Sequence, residues 1–152
     1  MTVADALEDI ITRVKAVDAE TDISGRCDFV YNGKVYDGED LRAIGRSRVF
    51  CLTVDGDFSL VGPMGTRTEW TEIETSAVVS ISYQLGASAK AVQKAALQDR
   101  DSIAYALTRA DYYPDGVSRR LVTSASFSPG GMAGEVALLE VMVATLYQPT
   151  FT

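Results

Sequence analysis

The first residues of the chain show the periodicity of an amphipathic helix. Apolar residues recur there at steps of three and four, at Val3, Leu7, Ile10, Ile11, Val14 and Val17. This spacing places them on one helix face, which we expect to pack against the core. Thr2 precedes the helix and Asp5 lies three residues later, an arrangement typical of a capping box. The polar stretch 18–25 ends the helix.

Short apolar runs then predict strands. Residues 27–31 and 34–36 lie on either side of Asn32-Gly33, a pair that favours a tight two-residue turn. They predict a small hairpin within a segment at about 26–46. Two further strands are predicted at 48–54 and 58–61, joined by a tight turn at Asp55-Gly56-Asp57.

Strict alternation of side-chain character predicts one long strand from Trp70 to Gln84. Residues at odd positions, among them Ile73, Val79 and Tyr83, form one face, and the even positions form the other. This strand is more than twice the usual length. We therefore expect it to extend beyond one compact sheet or to bend within it.

The second half of the chain predicts a helix and a hairpin. Residues 88–110 are alanine-rich and helical, in one or two pieces, with Asp99 as the cap of the stronger piece. Strands are predicted at 118–127 and 136–147, joined by the glycine-rich loop 128–134. We expect this loop to become ordered only when subunits assemble.

These elements predict an α+β fold within a single domain, residues 1–152. Strands grouped on either side of one helix favour an antiparallel or mixed sheet, with long strands and the two main helices on one face. The first residues lack the basic region and the apolar run of a signal peptide, so we expect a protein that is not exported. No apolar stretch is long enough to span a bilayer.

The net charge of −7 comes from an acidic excess in the first half of the chain. Within 50–84 a single base, Arg67, accompanies five acids, and these are Asp55, Asp57, Glu69, Glu72 and Glu74. Such a surface repels nucleic acid and anionic lipid. It suits a wall past which DNA slides without being bound.

The sequence offers no catalytic, cofactor-binding or metal-binding set. It has no histidine, which excludes cysteine–histidine zinc sites and histidine-assisted nucleophiles. Asp55 and Asp57 are interpreted as turn residues, and Asp99 and Asp101 as a helix cap and a first-turn acid. Arg119-Arg120 and the lysines at 90 and 94 are interpreted as solvated surface. We therefore predict a protein that is not an enzyme.

The long strands 70–84 and 136–147 would expose unpaired edges unless neighbouring subunits cover them. Aromatic residues at the ends of elements and the glycine-rich loop are the candidate contact residues, namely Trp70, Tyr112, Tyr113, Gly130, Gly131 and Met132.

The arrangement resembles the tail terminator proteins of long-tailed bacteriophages, also described as tail-completion or head–tail joining proteins. The resemblance lies in the order, length and character of elements over nearly the whole chain, without a short diagnostic motif. Its segments are VADALEDIITRV, RVFCLTV, TEIETSAVVSISYQ, DRDSIAYALTRA and the hairpin from LVTSASF to EVALLEVMVATLYQ.

This resemblance implies a ring, typically a homohexamer, that caps the tail tube and joins the tail to the head. Its partners would be copies of itself, the tail tube protein and a neck or head-completion protein. DNA would pass through an acidic lumen without specific binding. The ring would form in the host cytoplasm and reside in the virion tail, with no cofactor and no catalytic residues. The hairpin at 26–46 is an embellishment on the family plan.

Three alternatives remain open at this point. One is another neck or tail-tube component. The second is a small-ligand-binding domain whose helix folds over a curved sheet to form an apolar pocket. The third is an enzyme that uses carboxylates alone, which requires two acids converging in a cleft with a raised pKa on one of them.

Overall fold

Two helices and one mixed sheet of five strands make up the described part of the computed structural model, which confirms the predicted α+β class. The described residues are 2–23, 27–33, 47–61, 72–84, 89–109, 113–128 and 136–149. The helices are α1 (Val3–Lys15) and α2 (Ala89–Thr108). The strands are β1 (Val30–Tyr31), β2 (Val49–Val61), β3 (Glu72–Gln84), β4 (Val117–Ser128) and β5 (Val136–Tyr147).

The strand order is β1-β2-β3-β5-β4, so the two longest predicted strands lie side by side in the middle of the sheet. β1 is parallel to β2, and all other neighbours are antiparallel. β3 pairs with β5 from Ile73–Tyr147 to Gln84–Val136. β2, β4 and β5 have 12 or 13 residues each, which matches the length of β3. Of the two expectations for this strand, extension beyond the sheet is not seen over Glu72–Gln84, because its neighbours are equally long.

β2 is one strand, although the sequence predicted two strands and a turn at 55–57. Val54 pairs with Ala77 and Phe58 with Thr75, so the register shifts between these pairs. Extra residues in one strand form a bulge, and a glycine such as Gly56 is common at such a site. β3 continues past the irregularity and offers hydrogen-bond partners on both sides of it, so the chain stays in the sheet instead of turning back.

The first arm of the predicted hairpin contributes only the two residues of β1. The amide of Val30 donates to the carbonyl of Arg48, and that of Asn32 donates to the carbonyl of Phe50, each at 2.9 Å. These bonds place β1 beside the start of β2. The predicted second arm, 34–36, lies outside the described residues.

The core forms between both helices and one face of the sheet. Odd-numbered residues of β3 from Thr75 to Tyr83 are buried, as the alternation predicted. Ile10, Ile11 and Val14 of α1 pack in the same cluster, as do Ile103 and Leu107 of α2. At the start of α1 the predicted capping box is present: the amide of Asp5 donates to Thr2 Oγ1, and the amide of Thr2 donates to Asp5 Oδ2.

α2 is continuous across Asp99, so the prediction that this residue caps a second helical piece is wrong. Asp99 is 1% exposed in the middle of the helix. Arg48 donates to its carboxylate from Nε at 2.9 Å and from Nη2 at 3.0 Å, and the Tyr83 hydroxyl donates to Oδ2 at 2.7 Å. Because these donors neutralise and satisfy the carboxylate, an aspartate is tolerated inside the core.

Arg48 is the point at which several elements meet. Its side chain is fully buried and lies 5.6 Å from the centre of the Phe29 ring. Its amide donates to the Ser82 carbonyl at 2.7 Å, which fixes the start of β2 against the end of β3. Its φ is +57°, in the left-handed region that non-glycine residues rarely adopt. The ion pair and the backbone bonds therefore hold a conformation that is locally unfavourable.

We expect Asp99→Ala to lower the free energy of unfolding by about 3–5 kcal/mol, because it leaves the guanidinium of Arg48 buried without a counter-charge. Asp101→Ala is the matched control on the same helix. Its ion pair with Arg100 is exposed, so its loss should cost less than about 1 kcal/mol. Urea denaturation of both variants measures the difference. Equal stabilities would contradict the anchoring role of the Asp99 pair.

Alkaline pH should destabilise the fold through Tyr83. Burial raises the pKa of Tyr83 well above its ordinary value of 10.0, and the charge of Asp99 acts in the same direction. The unfolded chain therefore releases this proton first as the pH rises. The contribution of neutral Tyr83 to stability is complete below pH 10 and is lost above it, at up to about 1.4 kcal/mol per pH unit.

Tyr83→Phe tests this effect, since it removes the titrating hydroxyl. We expect a shallower loss of stability between pH 9.5 and 11.5 than in the wild type, measured by urea denaturation across that range. Tyr147→Phe is the comparison. Burial raises the pKa of Tyr147 less strongly, so its removal should change the slope less. An unchanged slope in Tyr83→Phe would count against the proposed coupling.

Candidate assembly surface

The predicted lumen acids that the structure describes lie at one end of the sheet. Glu72 and Glu74 begin β3, are half-buried, and lie on the face turned away from the helices, because Thr75 and Ala77 face the core. Asp55 and Asp57 lie in the neighbouring strand β2, next to the rung that pairs Ser59 with Glu74. Glu69 lies outside the described residues. The backbone positions of Asp55 and Asp57 are thus on the strand that neighbours Glu72 and Glu74.

Glu72 also connects this end of the sheet to the start of β4. Its Oε1 accepts a hydrogen bond from Ser118 Oγ at 3.0 Å. The contact arises because Val117 of β4 and Ile73 of β3 both pair with Tyr147 of β5, which brings the two strand starts to the same level. Because the hydroxyl of Ser118 is neutral, this hydrogen bond does not neutralise the negative charge of Glu72.

Most of the candidate contact residues fall in segments that the structure does not describe. These are Trp70, Tyr112, Gly130, Gly131 and Met132, and of the loop 128–134 only Ser128 is described. Tyr113 is described and is half-buried. Its ring lies 5.7 Å from the guanidinium carbons of both Arg13 and Arg120. Its role as a contact between subunits stays a prediction.

The arginine beside Tyr113 was missed by the sequence interpretation. Arg120 is 1% exposed, not solvated as predicted, whereas Arg119 is exposed. Arg120 donates from Nη1 to Asp9 Oδ2 at 2.8 Å and from Nε to Thr145 Oγ1 at 3.1 Å. Burial lowers the pKa of Arg120, and the charge of Asp9 acts against that effect.

Asp9 serves two arginines and so joins three elements. Its Oδ2 accepts from Arg13 Nε as well as from Arg120 Nη1, each at 2.8 Å. Arg13 also donates from Nη1 to the carbonyl of Ala106 at 3.1 Å. This network fixes α1 to β4 and to the end of α2. The alternation along β4 could have predicted the burial of Arg120, since this residue lies in phase with the inward-facing Val122.

The sheet ends in two long edges, which differ from those predicted. β3 and β5 have a neighbour on both sides, so the expectation that 70–84 and 136–147 expose their edges is wrong. β4 has β5 on one side and no described strand on the other. On the outer side of β2, the described neighbour is the two-residue strand β1. Among the described strands, β4 and the far part of β2 are therefore the ones with a neighbour on one side only.

The sheet face turned away from the helices carries apolar side chains in two places. They are buried near the start of β2 and exposed near β4. Val49, Cys51 and Leu138 form a buried cluster near the start of β2. Towards β4, Leu121 is 45% exposed and Met142 is 37% exposed. Both lie on this face, since Leu121 pairs with Ala144 on β5, two residues from Met142. Exposed apolar side chains beside an open edge are typical of a contact surface.

The described residues give little support to a carboxylate enzyme or to a small-ligand-binding domain. Asp99 is buried in its ion pair and Asp101 is exposed beside Arg100, so these acids do not converge in a cleft. α2 packs directly on the sheet through Ile103 and Leu107. A groove of about 520 Å³ lies between the outer surfaces of α1 and α2, open to solvent, not enclosed beneath a helix.

The described ranges offer neither a metal-binding cluster nor a helix that could span a membrane. No cluster of three or more cysteine or acidic side chains there is suited to hold a metal ion. Neither described helix combines the length and the hydropathy needed to cross a membrane.

The fold is similar to that of a chain in a solved virus-like particle. The structure of the virion of native gene transfer agent (GTA) particle contains a chain that matches this one with a TM-score of 0.60 at 16% sequence identity. The match covers 97% of this chain and 98% of the other, so it includes both helices and the whole sheet. No protein-family model matches the sequence, and no curated protein matches it. At this identity the likeness establishes a shared fold.

Proposed function

We propose that this protein is a structural component of a phage-like virion, a tail terminator that forms a ring on the tail tube and joins the tail to the head. The observation that carries the proposal is the sheet with two different long edges, β2 and β4, on opposite sides of the subunit. A subunit that joins its neighbour through two different surfaces makes a head-to-tail assembly, which closes into a ring when the rotation permits.

The shared fold supports a role in a virion. The similar chain belongs to a gene transfer agent virion, and the match extends over nearly all of both chains. A common fold does not by itself define a function, so the role rests on the surfaces as well. Another neck or tail-tube component of such a particle is compatible with the same match and stays the nearest alternative.

The acidic end of the sheet supports passage of DNA through the ring. Glu72 and Glu74 lie on the face turned away from the helices, with Asp55 and Asp57 on the adjacent strand. Carboxylates lining a channel repel the phosphate backbone and prevent it from adhering to the wall. We propose that these acids, with Glu69, face the lumen and that the helices form the outer layer. The partners are then other copies, the tail tube protein and a neck protein.

Negative-stain images of the purified protein test the ring. We expect closed rings with a central hole, and native mass spectrometry should give a single multiple of the subunit mass, six in the proposed homohexamer. A monodisperse monomer at high concentration, also in the presence of tail tubes, would contradict the proposal.

The direction of the acidic face has its own test. We expect Glu72→Lys combined with Glu74→Lys to make the rings bind double-stranded DNA at low salt, because the lumen then attracts phosphate. Glu8→Lys combined with Glu20→Lys is the matched control. It makes the same change in net charge at exposed positions on the helical side, away from the proposed lumen. Fluorescence anisotropy of labelled DNA measures both. Equal DNA binding by the two variants would show that these glutamates do not line the channel.

A further inference from the structure

An exposed aromatic side chain stands beside the groove between α1 and α2. The groove has a volume of about 520 Å³, which lies in the range of pockets that hold ligands. Tyr105 of α2 forms part of its wall and is 63% exposed. The guanidinium carbon of Arg109, which also lines the groove, lies 5.0 Å from the centre of the Tyr105 ring. Tyrosine and arginine are enriched among the residues that dominate binding energy at protein interfaces, so this wall has the composition of a contact site.

The charged network beside this groove carries one positive charge in excess. In the described part of the chain, Asp9 is the one carboxylate that pairs with Arg13 and with Arg120. The other described partners of the two guanidinium groups are uncharged, namely Thr145 Oγ1, the carbonyls of Ala6 and Ala106, and the Tyr113 ring. A hydroxyl or a carbonyl satisfies a hydrogen bond but brings no counter-charge. Two cations therefore share one anion.

The burial of this network makes the excess charge effective. The side chains of Arg13, Asp9 and Arg120 are 11%, 20% and 0% exposed. Burial lowers the pKa of Arg120, Asp9 raises it, and the charge of Arg13 lowers it again. Water and salt weaken the interactions of buried charges less than those of surface charges. An anion that reaches Arg13 is therefore attracted more strongly than it would be by an exposed arginine.

Arg13 brings this charge to the wall of the groove, next to apolar residues such as Val17. Its Nε donates to Asp9 and its Nη1 to the carbonyl of Ala106, whereas its Nη2 makes no hydrogen bond within the described residues. Asp18 also lines the groove, but it is exposed, so water screens its charge more strongly. The groove thus combines a charged donor with an apolar wall.

We propose that this groove binds a segment of another protein in which an aspartate or glutamate neighbours an apolar side chain. The carboxylate pairs with Arg13 and balances the network around Asp9, and the apolar side chain packs against Tyr105. In the proposed ring the helices form the outer layer, so the groove is reached from outside. The assignment to a different protein, instead of a second copy, rests on that proposed function.

Fluorescence anisotropy of a short labelled peptide of alternating glutamate and leucine tests the preference for a carboxylate. The comparison peptide has glutamine at every glutamate position. We expect the wild-type protein to bind the glutamate peptide about tenfold more tightly, because the ion pair forms where little water competes. Equal affinity for the two peptides, or no binding of the glutamate peptide, would overturn the inference.

Arg13→Gln locates the contact. It removes the excess charge and leaves Asp9 paired with Arg120, so we expect the fold to be retained, as checked by thermal unfolding. The variant should bind the two peptides equally. Lys15→Gln is the matched control, since it makes the same change in charge at an exposed position of α1 that does not line the groove. It should keep the preference for glutamate, and a preference that persists in Arg13→Gln would refute the proposed ion pair.

Tyr105→Ala tests the apolar contact. We expect it to weaken binding of the glutamate peptide by about tenfold, because an exposed tyrosine at the wall supplies much of the contact area. Leu97→Ala is the control on the same helix, since Leu97 is 36% exposed and does not line this groove. Its affinity should stay at the wild-type value. Equal losses in the two variants would contradict a role of Tyr105 in the groove.

The outcomes separate the groove from the proposed function, because peptide binding is measured on the subunit and does not require a ring. Rings without a preference for the glutamate peptide would overturn the groove site and leave the function standing. A preference without rings would contradict the function and support the carboxylate site. Sedimentation gives the last distinction: self-association of the wild type that is lost in Arg13→Gln would show that a second copy occupies the groove, and would overturn the assignment to a different protein.

Discussion

Two buried arginines, each neutralised by an aspartate on a helix, determine how the helices sit on the sheet. Arg48 at the start of β2 reaches Asp99 of α2, and Arg120 on β4 reaches Asp9 of α1. Apolar packing is tolerant of small shifts, whereas a buried charge is costly unless its partner is within hydrogen-bond distance. Each helix therefore has one preferred position along the strands. The apolar cluster between the layers supplies the stability, and the two ion pairs fix its geometry.

Both helices pack on one face of the sheet, so the surfaces proposed for assembly are the other face and the edges. β3 and β5 occupy the centre and are fully paired, so they act as a support. β2 and β4 are the outer long strands of the described sheet, and the hydrogen bond from Ser118 to Glu72 joins the starts of β4 and β3. The network around Asp9 lies directly behind the β4 edge, since Arg119 points out and the next residue is anchored inside. The ion pair of Arg120 thereby ties this part of β4 to α1.

The sequence predicted those elements whose burial repeats with a regular period. α1 and β3 follow from periods of 3.6 and 2, β5 follows from its apolar run, and the capping box at Thr2 follows from local spacing. Contacts between distant segments have no such signal. Asp99 has the composition of a helix cap, and only the arrival of Arg48, far away in the chain, makes it an interior residue. The turn at Asp55-Gly56-Asp57 was equally plausible locally, but pairing with β3 overrides it. Strand order, and with it the identity of the open edges, depends on the whole chain.

The shared carboxylate of Asp9 restricts how the sequence of this protein can drift. Replacing Asp9 strands two guanidinium groups at once, one of them completely enclosed, whereas replacing Arg120 leaves Asp9 with Arg13 as its remaining partner. The order of replacement therefore matters for stability. Replacing Arg120 first leaves Asp9 paired, whereas replacing Asp9 first leaves a buried guanidinium without a counter-charge. Asp9 and Arg120, 111 positions apart in the chain, are therefore coupled, since the cost of replacing one depends on whether the other is present.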